Sequence, residues 1–474
     1  MGGKQKMKIK KQIKSEMIEK LQSMREKNLL LINALSDCCR LSEYRHLSEA
    51  CTYGHIWTKA LQAALFEHEI VVIDPSDEVY YIDGTVVIPS DRHIEAAGAT
   101  VRLTPDCDVL MLRNEHTKDG TFRPIEAADR DRNISIHGGR WEESQTSRKG
   151  YGLSGRYAPR TAEEIRRPFY GVSTCMLFNN VQGITLRDMT FAHTAGFAVQ
   201  TGDLENGVFE NIGFESCYAD GLHINGRTKN IYIHHVFGEV GDDLVALNAY
   251  DWQDSSVNFG PIRSILCEDL TLSEKSRYKA LRIEPGIYAY ADGSTVNCGI
   301  FDAVFKDIKG IRTFKLYLQT PPYLLGQKPE WGDVGLGDNL FFEDIAVDLC
   351  APIDGFDVYR NSDPIRGHFA AFELGANIGY ISFENIALTL YKERYPLSYL
   401  VCVGPKSVVH KGKEVFDPYI SSRIETIELK NITVNGKKAK DAAELVKTTV
   451  FHDVNGDGFS TGRGEIGEIQ YQAS

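Results

Sequence analysis

Three aspartates lie in two stretches of the chain that align with each other. Tyr218-Ala-Asp220-Gly-Leu-His-Ile-Asn225 is followed by Gly241-Asp-Asp243-Leu-Val-Ala-Leu-Asn248. Laying the Leu-His-Ile-Asn run on Val-Ala-Leu-Asn sets Asp220 against Asp243, with a period of 23 residues. Repeats of 20–50 residues mark solenoids and arrays. Here each copy is short β-type sequence, so consecutive copies form neighbouring coils about 4.8 Å apart, the ordinary strand spacing. Asp220, Asp242 and Asp243 are thereby expected on one flank, within reach of a single bond. Such a set suits two-carboxylate acid/base chemistry: close acids cannot all ionise easily, and the proton they keep serves the acid's task. Turn-forming aspartates at coil corners are the plainer alternative. The doubling at Asp242-Asp243 beside a glycine, matched to Asp220, favours catalysis.

Strand alternation allows the neighbours of these acids to be read by register. With Ile224, Leu247 and Ile283 facing the core, His223, Ala246 and Arg282 form one outward column. Asn225, Asn248 and Glu284 form the next, with Gln200 one coil earlier. The result is a polar strip of hydroxyl-binding types beside the acids. For Asn225 and Asn248, a stacked ladder that only stabilises the corners is the competing reading.

The elements that must position these residues recur along the chain. Runs beginning at Asn180, Asn206, Lys229, Ile262, Phe341, Tyr380 and Ile424 each alternate apolar and polar residues over four to eight positions. That alternation marks half-buried strands, and Asn or Asp at the corners tolerates turn conformations. No single copy could bury its apolar face, so stacking makes the core. The expected fold is all-β, a parallel β-helix.

Bulk properties narrow the partners. The 474 residues carry a net charge of −12, which argues against nucleic acid or an anionic membrane surface. No 18-residue apolar run is present, so no transmembrane helix is expected. The basic start leads into a charged amphipathic helix rather than an apolar signal region, and the ten cysteines show no Cys-x-x-Cys spacing. A cytoplasmic location with buried, reduced thiols is expected.

Three segments are expected: an N-terminal helical segment and cap over 1–70, the β-helix over 71–440, and a C-terminal tail over 441–474. A helix at 58–64 would cover the open end of the coil stack. Insertions at 142–170, 249–260 and 321–338 interrupt the repeat. Their aromatics (Tyr151, Tyr157, Tyr170, Trp252, Tyr323 and Trp331) suit the walls of a binding cleft, with Trp252 a candidate sugar contact. Asp453-Val-Asn-Gly-Asp457-Gly458 begins like a calcium-binding loop, but position 12 is Gly464, and a solvated turn fits better.

Thr58-Lys-Ala-Leu-Gln-Ala-Ala64, Val86-Val-Ile-Pro89 and the Gly98-Ala-Thr strand resemble the opening of pectin-lyase-like right-handed β-helix proteins. Over 175–286 the chain resembles glycoside hydrolase family 28, the polygalacturonases and their relatives. Asp220 matches the last residue of that family's Asn-Thr-Asp motif, Asp242-Asp243 its Asp-Asp motif, and Arg282-Ile283-Glu284 its Arg-Ile-Lys motif with Glu in place of Lys. The Gly-His-Gly motif has no counterpart between Ala249 and Tyr278.

The resemblance implies glycoside hydrolysis with inversion, Asp243 as general acid, and Asp220 and Asp242 as bases positioning water. It implies neither metal nor cofactor. In the family the Arg-Ile-Lys pair binds a uronate carboxylate, and an acid at Glu284 would repel one. A neutral-sugar oligosaccharide cleaved in exo mode is therefore expected, with family 110 α-galactosidases as a nearby model. His223, Asn225, Asn248, Arg282, Glu284, Gln200 and Trp252 are the expected substrate contacts. A uronate-acting hydrolase, a polysaccharide lyase or epimerase, and a non-catalytic glycan-binding β-helix are the alternatives.

Overall fold

A computed structural model describes residues 3–105, 107, 109–117, 130–143, 174–251, 256–276, 279–289, 292–311, 316–318, 334–349, 369–393, 398–404, 409–410, 413–414, 421–448 and 463–472. Contacts divide the chain into two compact units. One, here the N-terminal unit, holds residues 19–245 and 253–258; the C-terminal unit holds 1–18, 246–252 and 259–474.

In the N-terminal unit, parallel strands climb in ladders. Cys38–Arg40 pairs with Ile70–Val72, which pairs with Arg92–Glu95, and so through Asp131–His137 to Thr174–Ala192, Phe197–Cys217 and Thr228–Val240. The C-terminal unit repeats the plan. Ile262–Leu272, Ile300–Lys309, Leu336–Leu349, Asn377–Leu390, Ser421–Val434 and Arg463–Gln472 pair in parallel, one after another. The last rung, together with the pairing of Val446–Thr448 on Val401–Val403, carries the ladder into the segment expected to be a tail.

Why these residues bend where they do is visible in the backbone. Asn and Asp at successive corners take positive φ, the left-handed conformation that most side chains avoid and these two tolerate. Asn211 (φ 53°) donates its amide to Asp188 (φ 57°) at 2.7 Å in the N-terminal unit. In the C-terminal unit Asn385 donates to Asp344 at 2.8 Å and accepts from Asn431 at 2.7 Å. Each corner residue thus sets its own turn and ties it to the turn below. Replacing Asn385 with Ala should cost about 1–2 kcal/mol, combining left-handed strain with a lost hydrogen bond. Gly at the same place should restore roughly half of that, because only the strain is relieved. Urea midpoints of the two variants check this.

Inside the C-terminal unit the corners frame an aromatic stack. Phe305 lies 4.8 Å from Phe342, and Phe342 lies 5.3 Å from Phe383, all three rings fully buried and nearly parallel. The register places them on one column, Phe305 on Phe342 on Phe383.

Two helices occupy the N-terminal region, α1 (Gly3–Asn33) and α2 (Thr58–Glu67). Between them the chain is not helical as the composition suggested. It forms strands Cys38–Arg40, Glu49–Cys51 and Gly54–Ile56 and a 3-10 helix at Leu41–Leu47. Ladder pairing of Cys39 with Val71 outweighs the local helical preference there.

α2 is the cap. It buries Ala60, Leu61, Ala64 and Leu65, and Gln62 imitates a strand. Its Nε2 donates to the Val87 carbonyl and its Oε1 accepts from the Val87 N–H, both at 2.8 Å.

α1 contributes to both units. Arg25 grips Glu210 through Nε at 3.1 Å and Nη2 at 2.7 Å, beside buried Leu21. Lys10 lies 5.1 Å over the Tyr380 ring, and Lys14 pairs with Glu343. Among the described residues no helix is long and apolar enough to cross a membrane. Nine cysteines are described, seven of them buried.

Candidate active site

The corner that carries the acids is tight because two glycines let backbones approach. A Cβ on Gly241 would lie 2.0 Å from the Tyr218 carbonyl oxygen, and one on Gly221 would lie 2.6 Å from that of Leu244. With both glycines in place, Gly221 N–H donates to the Asp243 carbonyl at 2.9 Å and Leu222 N–H to that of Leu244 at 3.0 Å. Asp220 and Asp243 therefore sit on adjacent turns at the same corner of the N-terminal unit. One carboxylate oxygen from each of Asp220, Asp242 and Asp243 lies within 4.8 Å of the other two. Asp220 and Asp243 are buried, and Asp242 is partly exposed.

Asp220 is held from two sides. Its Oδ1 accepts from the Asp243 N–H at 3.0 Å and its Oδ2 lies 2.6 Å from His223 Nδ1. His223 is buried, and the Phe197 ring stacks on it at 3.9 Å between centroids, 18° from parallel. Its Nε2 lies 3.3 Å from Asn225 Nδ2. Asn225 Oδ1 in turn accepts from Gln200 Nε2 at 2.9 Å and from the Val257 N–H at 3.2 Å.

The register corrects one expectation here. Gln200 pairs with His223, not with the column of Asn225, because the 23-residue period counted back from His223 falls on Gln200. His223, placed in an outward column from the sequence, is enclosed rather than exposed. Phe197 was not singled out, although the same period counted back from Asp220 reaches it.

The C-terminal unit holds a second polar group. Glu284 is buried, and its Oε1 accepts from Arg282 Nε at 2.6 Å. Its Oε2 has no hydrogen-bond partner among the described residues. Asn248 Nδ2 donates to Asp251 Oδ2 at 3.1 Å, and Lys279 is fully buried. Burial, and secondarily the charge of Asp251, pushes the Glu284 carboxyl up to about 8, against the opposing pull of Arg282 and Lys279. Burial thus opposes the ionisation that the Arg282 guanidinium favours, and the repulsion of a uronate expected from the sequence is correspondingly weaker. Asp251 and Lys279 went unnoticed because burial of a charged side chain leaves no local signal in a sequence. Trp252, residues 144–170 of the insertion expected at 142–170, the remaining insertion aromatics and the Asp453–Asp457 loop lie outside the described residues.

Two groups have the donor types of a hard cation site. In the trio, each Asp220 oxygen has one protein hydrogen-bond contact and keeps a lone pair that could face a cation. In the other, Glu115, His116 and Asp131, the buried acid is held by protein donors in the same way. Asp131 accepts from Asn114 Nδ2 and the His116 N–H at 2.7 Å each and from Ser90 Oγ at 3.1 Å.

Parallel turns of this kind define the class, a right-handed parallel β-helix. No family model matches the chain, and no curated protein matches it. Solved structures do. The family 28 exopolygalacturonase of Yersinia enterocolitica superposes with a TM-score of 0.50 at 11% identity, covering 92% of this chain and 79% of that one. A hyperthermoactive exopolygalacturonase from Thermotoga maritima gives 0.48 at 12% identity over 95% and 96%. PfbA, a surface adhesin of Streptococcus pneumoniae, gives 0.41 at 12% over 85% and 80%. The chain has the pectin-lyase-like fold, related to that of family 28. At these identities the likeness concerns the fold, and function rests on the site.

Proposed function

We propose that the chain is a glycoside hydrolase that cleaves an oligosaccharide with Asp243 as general acid and Asp220 and Asp242 as the bases that position water. The observation that carries this reading is the trio itself: three carboxylates within 4.8 Å, two of them buried, at matched corners of adjacent turns. Hydrolysis needs one carboxyl that gives a proton to the leaving oxygen and one carboxylate on the attacking side.

A neutral sugar is the proposed substrate. Arg282, the guanidinium that would fork onto a uronate, already binds Glu284 through Nε and Nη2. The shared fold with an exo-acting enzyme motivates exo cleavage.

Inversion is the proposed outcome, by resemblance to family 28. A specific observation favours a second reading, retention. The oxygens lie nearer than the roughly 6.5–9.5 Å usual between inverting carboxyls and approach the roughly 5 Å of retaining pairs.

The deciding experiment incubates the purified chain with neutral and uronic nitrophenyl glycosides and oligosaccharides and follows the first-formed anomer by NMR. Release of a neutral sugar with inverted configuration is expected. Retained configuration would transfer the mechanism to the second reading, and release of uronates alone would reverse the substrate class. No release from any glycoside would leave the trio as corner-forming aspartates.

A further inference from the structure

His223 was expected among the sugar contacts, yet its surroundings leave it a different task. Both ring nitrogens face protein groups and one ring face is covered by Phe197. The direction of these bonds can be worked out from Asn225. Two donors, Gln200 Nε2 and the Val257 N–H, converge on Asn225 Oδ1, which fixes the amide so that its Nδ2 points at His223. An amide nitrogen only donates, so His223 Nε2 must accept, and the ring proton sits on Nδ1. That proton points at Asp220 Oδ2, 2.6 Å away.

We infer that His223 is the positioning residue of Asp220: through Nδ1–H it fixes the orientation of the carboxylate. Phe197, Asn225 and Gln200 hold the imidazole in the tautomer that does so. The inference rests on the hydrolase reading above, since it assigns a role within that reaction.

Asp220 has one free rotation about its carboxyl group, and its Oδ1 contact to the Asp243 N–H alone would leave that rotation soft. The second bond, from a ring stacked against Phe197 and buried to 1% exposure, stiffens it. A carboxylate that positions water needs this, because misplacement by about 1 Å costs on the order of 100-fold in rate. The arrangement resembles in logic any base oriented by a third group through a fixed tautomer. No net proton moves in this role, since the Nδ1 proton stays on the ring throughout.

The test has two parts. In ¹⁵N-histidine spectra of the wild-type chain, one histidine, assigned by its loss in His223→Asn, should carry its proton on Nδ1 with a bare Nε2. In Asp220→Ala the tautomer should persist, because Asn225 still donates to Nε2, while the Nδ1–H resonance should move with its carboxylate acceptor gone. A bare Nδ1, or an Nδ1–H resonance indifferent to Asp220→Ala, overturns the inference whether or not the chain is active. In kinetics, His223→Ala should lower kcat about 10–100-fold with KM within roughly twofold. His223→Asn, whose amide reaches near the Nδ1 position, should recover most of the loss. A sugar contact would instead raise KM, and a purely structural histidine would lower the folded fraction while leaving its kcat intact; either result overturns the inference. If wild-type protein releases no sugar at all, the hydrolase reading falls and takes the catalytic role of the pair with it. An active wild type with unchanged kcat in folded His223→Ala sinks the inference alone.

Discussion

Asp243→Asn should lower kcat by 10²–10⁴-fold, the range typical of a lost general acid, while the melting temperature stays nearly constant. The substitution keeps volume and removes the donated proton. The backbone contacts that anchor the corner, Asp243 N–H to Asp220 Oδ1 and Gly221 N–H to the Asp243 carbonyl, use no Asp243 side-chain atom. Corner-forming aspartates predict the reverse, a drop in stability with the specific activity of the folded fraction intact. Wild-type turnover by Asp243→Asn on a genuine substrate would end the assignment of Asp243 as the acid.

Glu284 gives the second large effect, on stability. Its carboxyl titrates near the ordinary 4.5 in the unfolded chain and is pushed up to about 8 in the folded one. Between these values the folded state binds more protons than the unfolded state, so stability falls as pH rises through the window. The full penalty is present above about 8 and absent below 4.5. Glu284→Gln removes the titrating group while its amide oxygen can still accept from Arg282. The variant should gain on wild type as pH rises from 5 to 8.5, by an amount on the order of 3–5 kcal/mol. Urea unfolding of both proteins at the two ends of that range measures the difference. Parallel pH profiles would show that the Glu284 carboxyl is not raised in the folded protein.

Much of the fold could be read from the chain because a solenoid writes its period into the sequence. The runs starting at Asn180, Asn206, Lys229, Ile262, Phe341, Tyr380 and Ile424 all lie in ladder strands. The corner Asn and Asp residues take the turn conformations their chemistry permits. The clustering of Asp220, Asp242 and Asp243 was legible for the same reason, since register converts a spacing of 23 into adjacency.

What was not legible depends on forces that a repeat does not encode. Residues 38–56 read as helix by composition and pair as short strands because Val71 and its neighbours offer a ladder. The placement of Gln200 required counting the period from His223 rather than matching residue types. The raised carboxyl of Glu284 follows from burial and from the charge of Asp251, 33 positions away in the chain with no shared motif.

The amide of Gln62, closed on both backbone groups of Val87, also bears on how copies of the chain behave toward one another. Val86–Ile88 pairs on one side with Leu112–Asn114. Among the described residues, the outward backbone groups of Val87 are met by the Gln62 side chain, which presents a donor and an acceptor as a strand would but cannot be extended by a further strand. Gln62 is thus a chain terminator for hydrogen bonding. A variant lacking that amide, Gln62→Leu, would leave Val87 as a template for the edge of a second molecule. Head-to-tail polymers whose length grows with concentration are the form such a failure would take.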